Sequence, residues 1–155
     1  MLDNCGVDDE ELAAILTGLD TQASFRTLIY KHSEFLEESL EAIKPILLKP
    51  PNENLYELRL IQCKTRPYIL ENLCKFISEK GSQLRSLKLI SMQLSVHCVA
   101  NIAELIKNSI FLEQLDLSRN GLLPVAFPEL LRVISKNRNL RWLSLSSNLM
   151  VTIKD

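Results

Sequence analysis

The chain has 155 residues, enough for one domain with a sizeable core, and its 46% apolar content comes mostly from Leu and Ile. A formal net charge of −1 argues against a dedicated nucleic-acid or membrane-surface binder, which would carry a basic excess. No apolar run approaches the roughly 18 residues a membrane span needs, and the early acids Asp3, Asp8, Asp9, Glu10 and Glu11 are foreign to a signal peptide.

The charge is unevenly spread. Residues 1–54 hold eleven acids against four bases (−7), and residues 55–155 hold eight against fourteen (+6), a gradient that would orient a charged partner at modest salt. In chain order, a partial motif at Leu2 (LDNCGV) precedes a helical pattern at Leu12, Ile15, Leu16 and Leu19. A strand-like segment starts at Phe25 (FRTLIYKHSEF), and Leu40, Ile43 and Leu47 follow at helix spacing, with Pro45 expected to bend or end that helix. LYELRLIQCKT starts at Leu55 and leads through Pro67 to Ile69, Leu73, Phe76 and Ile77. LRSLKLISMQL starts at Leu84, with Ser95 a candidate N-cap for a helix carrying Ile102, Leu105 and Ile106. LEQLDLSRNGL starts at Leu112 and leads through Pro124 to Phe127, Leu130, Leu131 and Ile134; LRWLSLSSNLM starts at Leu140.

The motif starts lie 30, 29, 28 and 28 residues apart, and four copies keep L-x-x-L-x-L in phase. Alternate residues of a strand face one side, so Leu58 and Leu60, or Leu115 and Leu117, should point inward. Stacked copies make a parallel sheet, and the helical crossovers that parallel strands require are the helical patterns between the motifs.

This pattern resembles the ribonuclease-inhibitor class of leucine-rich repeats, over essentially the whole chain. The resemblance implies an α/β solenoid, with a curved parallel sheet on the concave side and α-helices on the convex side. One domain over 1–155 is expected, with repeats near 1–24 (partial), 25–54, 55–83, 84–111, 112–139 and 140–155 (partial), as a piece of a longer solenoid. The class places Asn or Cys after each strand; this chain has Cys5, Ser33, Cys63, Met92, Asn120 and Asn148 there. Met92 has no donor, so its junction is expected to be looser or bridged by water.

Enzymatic chemistry is not visible. His32 and His97 share no nucleophile motif with any Ser or Cys, the four glycines form no phosphate loop, and the cysteines form no C-x-x-C pair. No catalytic, cofactor or metal residue is named, and the thiols are expected to be reduced and packed as small hydrophobes. The pairs Asp8-Asp9 and Glu37-Glu38 read as solvated helix starts. A cytoplasmic location is expected, with nuclear and ciliary ones open.

The residues flanking the inward leucines remain. Their successive rows read Thr27, Glu57, Ser86, Gln114, Trp142; then Ile29, Arg59, Lys88, Asp116, Ser144; then Lys31, Ile61, Ile90, Ser118, Ser146, with Arg119 and Lys64 on the rim. Ile29, Lys31, Arg59, Ile61, Lys88, Ile90, Asp116, Arg119 and Trp142 are the candidate partner-binding residues, with Trp142 standing alone at the far end. The expected role is a non-catalytic scaffold that binds another protein, with no nucleic acid, membrane or small-molecule substrate. A GTPase-activating protein resembling the Ran activator, and a structural part of a large assembly such as a cilium, stand as alternatives. Contacts through the helices instead would use apolar residues such as Tyr68, Val96 and Val125.

Overall fold

The computed structural model describes residues 2–3, 7–20, 26–49, 55–79 and 82–149. Phe25, Cys5 and most of the first partial motif lie outside them. Strand and helix alternate: β1 Leu2–Asp3, α1 Asp9–Asp20, β2 Thr27–Lys31, α2 Glu37–Leu47, β3 Glu57–Ile61, α3 Pro67–Glu79, β4 Ser86–Ile90, α4 Val96–Asn108, β5 Gln114–Asp116, a 3-10 turn Pro124–Ala126, α5 Phe127–Ile134 and β6 Trp142–Ser144. The six strands form one parallel sheet in chain order, each paired with the next. This is a repeat-like α/β fold, with strands at the positions the motif indicates.

Because the repeat length is nearly constant, each leucine stacks on its own counterpart. Leu28, Leu58, Leu87, Leu115 and Leu143 run across the sheet in register, and Tyr30, Leu60 and Leu89 run beside them. These rows join the buried helix residues in one apolar core; Leu143, on the last strand, is only partly covered. Leu131 departs from expectation: it is exposed, while Leu130 and Val133 turn inward on the short α5. Pro45 does not end α2, which runs two residues further. It falls in the final turn, where one missing N–H disrupts little of the ladder that follows.

Helix starts are secured in several ways. Asp8 and Glu11 cap α1 reciprocally: the Glu11 N–H donates to Asp8 Oδ1 at 2.9 Å, and the Asp8 N–H donates to Glu11 Oε2 at 3.3 Å. Ser95 Oγ accepts from the Cys98 N–H at 3.0 Å, as its N-cap position requires. Pro67 is the first residue of α3, where its missing N–H has no intrahelical use. Asp9 corrects the solvated reading. Its buried carboxylate accepts from the N–H groups of Leu36, Glu38 and Ser39 at 2.7, 2.9 and 3.2 Å, and so caps α2 from the preceding helix.

Directly after each of β2 to β4, and a few residues after β5 and β6, a non-glycine residue turns left-handed: His32, Gln62, Ser91, Arg119 and Ser147, with φ between 51° and 58°; Gln93, two residues beyond Ser91, does so as well. The first four donate their N–H to a carbonyl of the next repeat unit, those of Ile61, Ile90, Ser118 and Ser146. The Met92 junction is not loose. Asn120 Oδ1 accepts from the Met92 N–H at 2.7 Å, and Asn120 Nδ2 donates to the carbonyls of Leu89 and Leu117. Asn148 repeats the arrangement one unit on, accepting from the Asn120 and Leu122 N–H groups. Each asparagine therefore serves the unit before it, and Met92 needs only to be the recipient.

Candidate functional site

One face of the sheet is covered by the core and the other carries the candidate residues. Backbone register brings them together as rows. Ile29, Arg59, Lys88 and Asp116 are consecutive partners, as are Lys31, Ile61 and Ile90. Ile61 and Ile90 are each half-buried, as are Ile29 and Lys31. Arg119 is exposed on the rim, in the left-handed turn after β5.

Arg59 and Lys88 face each other across adjacent strands, an arrangement that repulsion alone would disfavour. Glu57 resolves it. Two residues before Arg59 on the same side of β3, it is 8% exposed and accepts from Arg59 at 2.8 Å, from Lys88 at 3.0 Å and from the Ser86 hydroxyl at 3.0 Å. Burial by itself would raise the Glu57 pKa, but the hydrogen bonds from Arg59, Lys88 and Ser86 outweigh it and hold the value at about 2. The pair of bases is thus fixed above a buried counter-charge, with side-chain exposures of 35% for Arg59 and 18% for Lys88.

Three sequence expectations change here. Glu57 and Ser86 are buried rather than solvent-facing. Asp116 is also buried, at 9%, because its Oδ1 turns back to accept from the Ser118 N–H at 2.9 Å; it closes the end of β5 and offers little to a partner. Trp142 does not stand alone: the Lys88 ammonium lies 5.7 Å from its ring centroid. The ring is still 45% exposed. Glu57, Arg59, Lys88 and Trp142 therefore form one connected patch over β3, β4 and β6. The signal that could have found Glu57 was present: a carboxylate two residues before an arginine lies on the same side of a strand.

Elsewhere, His32 Nε2 lies 2.8 Å from Gln62 Oε1, and Lys64 pairs with Glu34, so neighbouring units are tied along the rim. Tyr68 and Val96 are exposed in the first turns of α3 and α4, and Val125 is exposed in the 3-10 turn. Among the described residues no group of His, Cys, Asp and Glu could hold a metal ion, and no helix is long and apolar enough to cross a membrane. Cys63, Cys74 and Cys98 are free and buried; Cys5 lies outside the described residues. No family model matches the chain, and no curated protein matches it.

Proposed function

We propose that the chain is part of a ribonuclease-inhibitor-type leucine-rich repeat solenoid, and that it binds a partner protein through the open face of its sheet. The motif spacing and the stacking of like residues on like support the architecture. The observation that carries the function is the patch around Glu57. Two bases are held in place over a buried acid, beside the in-register pair Ile61 and Ile90 and an exposed tryptophan. Fixed side chains lose little entropy on docking, and Trp and Arg are the residue types that most often dominate interfaces. The bases would meet carboxylates of the partner, and the isoleucines would supply apolar contact area. We place the protein in the cytoplasm, where its free thiols would remain reduced.

Quantitative capture from lysate tests this with three proteins: wild type, the double variant Ile61→Ser and Ile90→Ser, and Lys75→Glu on α3. The double variant should weaken capture by about 2 kcal/mol or more if these are hot spots, and the helix variant should not. Equal capture by the double variant, with loss in the helix variant, would move the interface to the helices.

A further inference from the structure

We propose a second binding site, away from the sheet face, that takes a phosphate monoester. It is a cavity of about 530 Å³ lined by Lys107, Arg132, Lys136, Arg138, Asn137 and Asn139 where α4 and α5 end. Four cations line it and no acid does. Lys107 and Arg132 sit in the last turns of their helices, where a cation suits the dipole, and each is paired on its own helix, to Glu104 at 3.3 Å and to Glu129 at 2.6 Å. Lys136 and Arg138 come after α5 has ended, and neither has an ion pair among the described residues. Glu129 also feels the charge of Lys136, so the surplus belongs to the set: four cations against Glu104 and Glu129, a net charge of +2 at the cavity.

The wall behind them is held in place. Asn137 Nδ2 donates to the Ile106 carbonyl of α4 at 2.6 Å, and its Oδ1 accepts from the N–H groups of Asn139 and Leu140 at 2.8 and 2.7 Å. That side chain locks the turn between α5 and β6 against the end of α4, so the cavity is formed before any ligand arrives. A charge of +2 matches a phosphate monoester, which carries about −1.5 to −2 at neutral pH and three acceptor oxygens, better than it matches a carboxylate. The exposed pairs of Lys107 and Arg132 are weak enough to be redirected toward such a ligand. The group could be carried by a soluble molecule or by a lipid headgroup, since the chemistry seen by the protein is the same.

Amide NMR of the whole chain during titration with glycerol 3-phosphate tests the soluble arm, with glycerol and acetate as controls. Flotation with phosphatidylcholine vesicles, with and without phosphatidic acid, tests the headgroup arm. We expect shifts at Lys136, Asn137, Asn139 and Leu140, and a loss of roughly tenfold or more in affinity in the variant Lys136→Glu with Arg138→Glu. The milder Lys136→Gln with Arg138→Gln provides the same comparison should charge reversal disturb the fold. Binding to phosphatidic acid vesicles alone assigns a headgroup, and binding in both arms assigns a site open to soluble phosphates. Absence of binding in both arms, equal shifts with acetate, or unchanged affinity in a folded double variant would overturn the proposal. None of these outcomes depends on the sheet face.

Discussion

Glu57 answers to two demands at once, neutralising a pair of bases and lying under the surface they form. Its pKa falls from an ordinary 4.5 to about 2, so its contribution to stability is complete above pH 4.5 and is lost as pH falls from there toward 2. A full shift of that size corresponds to about 3 kcal/mol, and water around the half-exposed Arg59 reduces this to roughly 1–2 kcal/mol. Glu57→Gln should remove that part of the acid dependence and lower stability at pH 7, measured by urea unfolding at pH 3 and pH 7. An unchanged difference between the two pH values would show that Glu57 is not its source. Tyr30 offers the opposite case: its hydroxyl is buried and has no hydrogen-bond partner among the described residues, while the ring packs 6.0 Å from that of Phe35. Tyr30→Phe should therefore be neutral or stabilise by up to about 1 kcal/mol, read as a rise in Tm, because an unsatisfied hydroxyl is removed and the packing is kept. Strand alternation places residues 57, 59 and 61 on one side and leaves open which of them lies deepest. That depends on which side chains meet across β3 and β4, and pairing of this kind is not a local property.

At the scale of elements, the helices were legible from their apolar spacing, and most of their starts from Pro67, Pro124 and Ser95. The start of α2 was marked by Glu37-Glu38, but the group that caps it was not legible. Its N-cap residue, Leu36, has no capping side chain, and the cap arrives from Asp9, 27 residues earlier. Local signatures cannot reveal a cap supplied through tertiary contact. Burial pushes the Asp9 pKa up, but bonds from Ser39, Leu36 and Glu38 more than offset this, and the net shift is downward. Asp9→Ala should cost about 1–2 kcal/mol and should raise hydrogen exchange first in α2, with α1 still capped by Asp8. Exchange rising in α1 and not in α2 would contradict the cross-helix cap. Asn120 is the second such link, joining the Met92 N–H to the Leu89 and Leu117 carbonyls. The motif made Asn120 visible as a junction residue; that it also completes the junction at Met92 required the neighbouring unit to be in place.

In the molecule as a whole, each strand pairs only with the strands next to it and each helix packs only on the helices of adjacent units among the described residues, with the Lys88 side chain alone reaching past β5 to Trp142. Regular spacing made this arrangement legible, because a constant period lets each strand repeat the contacts of the one before. Such a chain has no central element that touches all the others, and its cooperativity must pass through each interface in turn. Leu87 is fully buried on β4, between Leu58 and Leu115. Leu87→Ala removes its contacts with both and leaves a cavity, at a cost of roughly 2–5 kcal/mol. The damage should begin locally. In native-state hydrogen exchange, amides of β4 and α4 should lose protection first, β2 and α2 should retain more of theirs, and the difference should narrow as denaturant approaches the midpoint. If the amides of β2 fell by the same free energy as those of β4 in the absence of denaturant, the chain would be unfolding as a single cooperative body, and neighbour-to-neighbour coupling would not describe its stability.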